Sequence, residues 1–397
     1  MEYKMQRSTN QQQSGAVSLF VVIFSALLIT IITVSFIRIM NQEQQAALTN
    51  DLSQSAYDSA LAGVEDAKRV LLAAQEGDPR SKQAIEAKGC DTISRAGVVG
   101  ETTTDSNRET IIQTETAGGA QANKLNQAYT CVIINMATND YLAEMQADQS
   151  ILVPLKAEDP ISKVRISWLL QSKDDIGVND AQAALESVSA NVVGGNAKLP
   201  NAESWGESAP ALMRAQIISP EQSADDRNFS LSDLDDSEVT QTVFLYPATA
   251  GSDSVNMASM NRRDDSGGNE PTPIACSIDS YRNGQYLCST TLNLRREIPT
   301  NSEVAHLRLS ALYNKSSVQI QLLNDSGDPV KFNGVQPMVD STGRANDIFR
   351  RVESRLSLGL PDFAYPEAAV DIYGSLCKDF YVTDEEAGYA GEACKPY

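Results

Sequence analysis

The fold is decided close to the N-terminus, where residues 16–37 have the sequence AVSLFVVIFSALLITIITVSFI. No charged residue occurs between Ser8 and Ile37. As a helix that rises ~1.5 Å per residue, this run measures ~33 Å, which matches the hydrocarbon core of a bilayer. A helix is also the only single segment that satisfies its backbone hydrogen bonds in lipid. We therefore predict a membrane-spanning helix over residues 16–39.

Basic residues around this run predict its orientation. Lys4 and Arg7 precede it, and after it Arg38 is the only basic residue before Lys68. By the positive-inside rule, the N-terminus lies in the cytoplasm and the rest of the chain lies outside the membrane. The alternative is a cleaved secretory signal, whose apolar region is ~7–15 residues long. The greater length here favours an anchor, and both interpretations export the remaining chain.

The helical pattern continues beyond the membrane segment. Residues 40–75 contain no proline and one glycine, and they are rich in residues that favour helices. We predict that residues 16–75 form one helix of ~90 Å, and that residues 56–75 pack against a folded domain. Apolar residues or glycine recur every three or four positions, as on one face of an amphipathic helix: Leu48, Leu52, Ala56, Ala60, Gly63, Ala67, Leu71 and Ala74.

Small and hydroxylated side chains interrupt the apolar half of this helix. Small residues let a second membrane helix approach closely, and the sequence offers no second apolar span. They are therefore candidates for packing against helices of other subunits, although a passive anchor with incidental serine and threonine residues fits the composition equally well. The candidates are Ser18, Ser25, Ala26, Thr30 and Thr33.

Composition argues against several classes of function. The 397-residue chain has 32 basic and 52 acidic residues, so its formal net charge is 32 − 52 = −20. Such a charge argues against nucleic-acid binding, which requires a basic surface. The chain has one histidine, His306, and the alternating pattern around it places it on the solvent face of a strand. One histidine leaves little scope for histidine-based catalysis or metal binding.

The six cysteines follow the membrane segment, and none forms a C-x-x-C motif. An even number in an exported chain favours disulfides over free buried thiols. Sequence alone leaves the connectivity open, and sequential pairing closes the shortest loops. We therefore predict the pairs Cys90–Cys131, Cys276–Cys288 and Cys377–Cys394.

Beyond residue 125 the apolar pattern changes from helical to alternating, which indicates half-buried strands. Residues 314–316 are predicted to join two of these strands as a hairpin, and residues 80–88 to form a short helix. The predicted fold class is α+β, a long N-terminal transmembrane and amphipathic helix followed by a mostly antiparallel, β-rich head outside the membrane. Strands are predicted at 128–135, 150–155, 164–170, 215–219, 240–246, 285–294, 307–313, 318–322 and 349–358.

The predicted domain organisation follows from these patterns. Loop-like composition at 174–180, 194–210 and 251–273 indicates a boundary near residue 211. The predicted segments are a leader (1–15), the transmembrane helix (16–39), the amphipathic helix (40–75), a helix-proximal α/β lobe (76–210) and a β-rich distal lobe with disulfides (211–397).

The sequence contains none of the common catalytic or nucleotide-binding motifs, so we expect no catalytic residues and no enzymatic activity. Acidic pairs such as Asp174-Asp175 and Asp264-Asp265 are interpreted as solvated loop charge. A pair of glycosidase carboxylates is the alternative. We expect no cofactor, and the alternative is calcium bound by oxygen atoms in the loops around Gly177 and Gly267-Gly268, although neither has the EF-hand spacing.

The N-terminal region resembles a known family. A hydrophilic leader ends in Ser14-Gly15 and is followed at once by Ala16-Val17-Ser18-Leu19 and the long helix. This arrangement is similar to that of type IV prepilins, most closely the PilX-like minor pilins and the larger minor pseudopilins, and it covers about residues 4–75. The resemblance implies that a prepilin peptidase cleaves after Gly15, so that Ala16 becomes the mature N-terminus. It also implies that the helix first anchors the subunit and later packs with other pilin helices.

Two departures from the main filament subunits of that family indicate a minor subunit. Phe20 occupies the fifth mature position, where major pilins usually have glutamate, and Ala16 replaces the usual phenylalanine or methionine. The resemblance thus implies a non-catalytic, membrane-anchored subunit of a pilus or pseudopilus tip or initiating complex, with adhesion as an additional role. Its partners would be membrane lipid, other pilin subunits and prepilin peptidase. A surface adhesin with a simple single-pass anchor and a tethered exported hydrolase are the alternatives.

Overall fold

The fold is α+β, and a long apolar N-terminal helix precedes a β-rich part with antiparallel and mixed sheets. The chain divides into two compact units. Unit 1 consists of Met1–Ile133 and Val339–Ser354, and unit 2 consists of Ile134–Met338 and Arg355–Tyr397. The computed structural model describes residues 14–98, 109–112, 114–115, 121–122, 126–200, 202–220, 239–257 and 271–357.

The helices follow the sequence pattern closely near the N-terminus. The first helix begins at Ser14 and ends at Gln75, as the stripe of small residues predicts. Gly77 then adopts a positive φ of 103°, and the side chain of Asp78 caps the next helix by accepting a hydrogen bond from the Ser81 backbone N–H at 2.9 Å. The helices are α1 (Ser14–Gln75), α2 (Pro79–Glu86), α3 (Thr92–Ala96), α4 (Gln171–Asp174), α5 (Val178–Ser189) and α6 (Ile278–Arg282).

Every strand predicted from the sequence is present, with small differences at the ends, and further strands lie between them. The strands are β1 (Thr110–Ile111), β2 (Thr114–Glu115), β3 (Gln121–Ala122), β4 (Gln127–Thr138), β5 (Tyr141–Met145), β6 (Ser150–Pro154), β7 (Ile161–Leu170), β8 (Val192–Val193), β9 (Asn196–Ala197), β10 (Leu212–Ile218), β11 (Thr240–Ala248), β12 (Ser254–Asn256), β13 (Thr272–Ala275), β14 (Tyr286–Ile298), β15 (His306–Leu312), β16 (Ser316–Leu323), β17 (Pro329–Val330), β18 (Phe332–Ala345) and β19 (Ile348–Arg355).

Unit 1 combines α1, α2 and α3 with a four-stranded sheet in the order β1-β4-β18-β19. The strand β18 has no counterpart among the predicted strands. The division between the units falls inside β4 and inside β18. Most of unit 2 is therefore an insertion in the chain between two neighbouring strands of this sheet.

Unit 2 contains two larger sheets. One has the order β13-β11-β10-β15-β6, and the other has the order β12-β14-β7-β16-β17, with β5 also paired to β16. The pairs are antiparallel except β11 with β13 and β12 with β14. A single apolar cluster contains side chains from both sheets, including Ile166 and Trp168 of β7 and Leu309 of β15.

Two sequence predictions differ from this topology. The structure does not divide the chain near residue 211, because β6 and β10 lie on either side of that position and both pair with β15. The predicted hairpin at 314–316 is wrong, because β15 and β16 belong to different sheets. The amide of Asn314 donates hydrogen bonds to the carbonyl oxygens of Gly206 and Ala209, each at 2.8 Å, and these fix the loop as a connection between the two sheets.

Candidate functional site

The first half of α1 is exposed along its whole described length. Every side chain from Leu19 to Asp51 is exposed, including the large apolar ones from Leu19 to Met40. By length and composition, α1 is the one helix among the described residues that is able to cross a membrane, with a mean hydropathy of 2.8 in its most apolar window. A membrane anchor and a signal sequence share these properties. Gly15 and Ala16, the predicted cleavage residues, lie in its first turn.

The hydroxyl groups in this apolar half are satisfied within the helix. The side chains of Ser25, Thr30 and Thr33 donate hydrogen bonds to backbone carbonyls three or four residues earlier, at 2.8–3.0 Å. These hydroxyl groups therefore need no polar partner outside the helix. At ~100° per residue, these three residues and Ala26 fall within ~140° of the helix circumference. Ser18 also belongs to α1, and its side chain lies outside the described residues. Their packing against another helix stays a prediction.

The second half of α1 packs on the sheet of unit 1, as the sequence predicts for residues 56–75. Leu48 is exposed, and Leu52 and Ala74 are half-buried. Five of the eight residues of the buried face are alanine, serine or glycine, which lets the helix lie close to the strands. Its members are Ala56, Ser59, Ala60, Gly63, Val64, Ala67, Val70 and Leu71.

Two glycines form the closest contacts between α1 and the sheet. A Cβ atom on Gly63 of α1 would lie 2.4 Å from the Ser341 Oγ atom of β18. A Cβ atom on Gly343 of β18 would lie 2.2 Å from both the Ala56 carbonyl oxygen and the Ala60 backbone nitrogen. Each glycine thus makes room for the opposite element. At Gly63 the nearest atoms belong to side chains of the sheet, whereas at Gly343 they are backbone atoms of α1, so a larger residue at Gly343 requires a shift of the helix or the strand.

A polar contact adds to this attachment, and a disulfide fixes the neighbouring segment of unit 1 to the same sheet. The Tyr129 hydroxyl of β4 donates a 2.8 Å hydrogen bond to the Asp66 carboxylate of α1. Burial raises the pKa of Tyr129, and the neighbouring Asp66 charge raises it further. The predicted disulfide Cys90–Cys131 joins the segment between α2 and α3 to β4. The second half of α1 is therefore held rigidly in unit 1.

The other predicted cysteine pairs have different outcomes. Cys276 and Cys288 form a disulfide within unit 2, as predicted. Cys377 and Cys394 lie outside the described residues, so their pairing stays a prediction.

The acidic loop around Gly177 has a structural role that the sequence did not reveal. Asp174 is buried rather than solvated. Its carboxylate accepts hydrogen bonds from the backbone N–H groups of Leu170 and Ser317, each at 2.8 Å, and from the Ser317 hydroxyl at 2.5 Å. This carboxylate therefore connects β7, α4 and β16. Within the described part of the chain, no three histidine, cysteine, aspartate or glutamate side chains cluster as a metal site. The second acidic loop, around Gly267-Gly268, lies outside that part.

The predicted solvent exposure of His306 is wrong. Its side chain is 1% exposed, and its Nδ1 atom lies 3.1 Å from the Val304 carbonyl oxygen. Burial lowers the pKa of His306 to about 4. The imidazole is therefore neutral at physiological pH and belongs to the interior of unit 2.

A shallow pocket of about 690 Å³ lies beside α2 and α3 in unit 1. One of its two guanidinium groups, that of Arg95, is paired with the Asp91 carboxylate at 2.8 Å. The Arg80 and Arg95 side chains are exposed at this pocket, and the exposed Glu86 offsets part of their charge. Its lining residues are Arg80, Gln83, Ala84, Glu86, Ala87 and Arg95.

Comparisons with protein-family models, with curated proteins and with solved structures find no match to this chain.

Proposed function

We propose that this chain is a non-catalytic, membrane-anchored minor subunit of a type IV pilus or pseudopilus, located in a tip or initiating complex. Its N-terminus lies in the cytoplasm, its apolar helix first spans the membrane, and its head lies outside. The observation that carries the proposal is the continuity of α1. One unbroken helix joins an exposed apolar half, Leu19–Met40, to a half that is buried against the sheet of unit 1.

This continuity favours an assembly role over a passive anchor. A passive anchor requires only an apolar span, and the linker that joins it to the folded part can be flexible. Here the membrane half is a rigid extension of the folded unit, so its position fixes the position of unit 1 along the helix axis. Such a rod suits a subunit that is transferred from lipid into a bundle of similar apolar helices, where packing depends on close contact between small residues.

The size of the head supports a minor position. About 320 residues follow the helix, and most of unit 2 is inserted between β4 and β18. So large a head would hinder dense repetition of the subunit along a thin fibre. A tip or an initiating complex places no such limit on it.

The first test is the mature N-terminus of protein purified from its own cells, measured by intact-mass and peptide mass spectrometry. The proposal expects a chain that begins at Ala16 and remains in the membrane. A chain that retains residues 1–15, or one that is cut after the apolar run and released, contradicts the proposal.

The second test separates the subunit from an adhesin with a simple anchor. Residues 16–39 are exchanged for an unrelated membrane helix of the same length, and the chain is then sought in sheared surface fibres and in the membrane. The proposal expects membrane insertion with loss from the fibre fraction. If the exchanged chain performs every function of the original, the helix is only an anchor. The matched control exchanges the wholly exposed polar segment 41–51 for another helical sequence, which should be tolerated.

A further inference from the structure

One face of the second sheet in unit 2 has an unusual composition. The register of β14 on β7, of β16 on β7 and of β12 on β14 places alternate side chains of four strands on one side. The opposite side carries Val164, Ile166 and Trp168, which are fully buried. Leu323, which pairs with Lys163, lies on this side and is buried. We call the polar members of this side the polar face: Ser254, Asn256, Lys163, Arg165, Ser167, Ser289, Thr291, Asn293, Gln319 and Gln321.

On these four strands the polar face contains two cations and no carboxylate. Its other members are hydroxyls and amides. In a chain with 52 acidic and 32 basic residues, the solvent side of a sheet should carry several carboxylates. At the margin of the face, Asp140 accepts a hydrogen bond from Gln319 at 2.6 Å and pairs with Arg355 at 2.7 Å, so its charge is compensated. On β5, which pairs with β16, Leu142 and Glu144 lie on the same side, and the Glu144 charge is compensated by Lys173 at 3.1 Å. The face is thus a basic surface on an acidic protein.

The two cations are not engaged by carboxylates of the described residues. The Lys163 ammonium donates a 2.6 Å hydrogen bond to the Asp325 backbone carbonyl. The Arg165 guanidinium lies 3.5 Å from the Thr291 hydroxyl. Arg165 stands in the middle of a row across four strands, between Thr291 and Gln321. This row measures ~14 Å, three strand spacings, and offers a charged fork flanked by hydroxyl and amide groups.

We propose that the polar face binds an acidic polysaccharide, with Arg165 and Lys163 on its carboxylates and the flanking serine, threonine, asparagine and glutamine side chains on its hydroxyls. A guanidinium pairs with carboxylates through two parallel hydrogen bonds. Amides and hydroxyls both donate and accept, as the hydroxyls of a sugar chain require. The inference concerns unit 2 alone and does not rest on assembly of α1 with other helices.

Two other classes of ligand fit this surface less well. Nucleic acids are bound by aromatic stacking and by dense positive charge, whereas the polar face has no aromatic member and two cations. Protein interfaces centre on buried aromatic, arginine and other large anchors, and here a single arginine stands among small polar groups. A hydroxyl-rich polymer with spaced carboxylates matches both the sign and the chemistry of the face.

The test measures binding of the full chain in detergent to immobilised polygalacturonate, with dextran and single-stranded DNA as comparison polymers. We expect binding to polygalacturonate that weakens with salt, and no binding to dextran. Arg165→Gln should lower the affinity about tenfold or more, the loss that one charge-assisted hydrogen bond carries. Gln321→Glu, which leaves both cations in place, should lower it similarly by repulsion.

The matched control is Arg282→Gln, which removes the same charge from α6, where Arg282 pairs with Asp279 at 2.9 Å. It should change the affinity less than twofold. Tryptophan fluorescence of each variant checks that unit 2 is folded, because Trp168 lies beneath the polar face. The inference is overturned if folded wild-type protein does not bind polygalacturonate, if Arg282→Gln weakens binding as much as Arg165→Gln, or if DNA binds more tightly.

Discussion

Replacement of Gly343 by alanine would place a methyl group in the contact between β18 and α1. The new Cβ atom would lie 2.2 Å from two backbone atoms of α1, the carbonyl oxygen of Ala56 and the nitrogen of Ala60, whereas ordinary van der Waals contact begins at 3.4 Å. The two elements must therefore separate by about 3.4 − 2.2 = 1.2 Å. Because the neighbours are backbone atoms, no side-chain rotation relieves the overlap.

The expected cost follows from the overlap. Overpacking of a core by one methyl group typically costs about 1–3 kcal/mol, and this rigid site should lie at the upper end. Alanine also lowers the conformational entropy of the unfolded chain, which stabilises the folded state by about 0.4–1 kcal/mol. The net destabilisation of unit 1 is therefore about 2 kcal/mol, which corresponds to an opening equilibrium larger by about thirtyfold.

Hydrogen exchange measured by mass spectrometry is the suitable assay. The two tryptophans, Trp168 and Trp205, both lie in unit 2, so their fluorescence does not report on unit 1. Gly343→Ala should accelerate exchange of the backbone amides of residues 56–71 about thirtyfold and leave the tryptophan unfolding curve unchanged. In the control Gly177→Ala, the new methyl group meets only the movable side chain of Asp180, at 2.9 Å. Unchanged exchange in the Gly343 variant, or equal acceleration in the control, would refute the proposed close contact.

Three further predictions concern the disulfide of unit 1 and two buried groups of unit 2. Cys90→Ala opens the 41-residue link to Cys131 and should destabilise unit 1 by about 4 kcal/mol, seen as faster exchange in residues 56–71. Asp174→Asn should cost about 2–3 kcal/mol in denaturant unfolding followed by tryptophan fluorescence, because it weakens charge-assisted hydrogen bonds, whereas Asp175→Asn, at the exposed neighbour, should be almost neutral. Burial lowers the pKa of His306 to about 4, so well above pH 6.5 the ring is neutral in both states and contributes no pH dependence. Between pH 6.5 and 4 the unfolded state binds the proton first, and unit 2 should lose up to about 3 kcal/mol, a loss that His306→Gln should abolish.

The elements that the sequence predicts well are those with a strong local pattern. The apolar run and the small-residue stripe of α1 each repeat over many turns, so the limits of α1 were predicted within two residues. The predicted strands contain β-branched and apolar residues in alternation, and this pattern survives because one side of each faces a core. Sequential pairing of cysteines succeeded at Cys90–Cys131 and Cys276–Cys288, where the shortest loops are also the ones closed.

The sequence predictions fail where a buried position does not need a large apolar side chain. In β18, Ser341 and Gly343 are buried, yet they are small because the backbone of α1 lies against them. The hydrophobicity of that strand therefore does not alternate along the sequence, although its burial does. His306 was misplaced for a related reason, because β15 has buried residues on both faces, and alternation then no longer identifies the solvent side. The prediction of a hairpin after β15 is wrong because the conformation of this loop depends on Gly206 and Ala209, more than 100 residues earlier in the chain.

The continuity of α1 has a physical basis in the cooperativity of helix formation. Residues 41–51 are wholly exposed, and an isolated helix of that length is marginal in water. Nucleation is the costly step and propagation is cheap, so the half of α1 that is fixed on the sheet by Gly63 and Gly343 provides the nucleus from which the exposed residues extend. A bilayer would fix the other end, because Leu19–Met40 can satisfy its backbone there only as a helix. The polar segment would then be held from both sides, and a shift of the apolar half along or about its axis would be transmitted to unit 1 rather than absorbed by a linker.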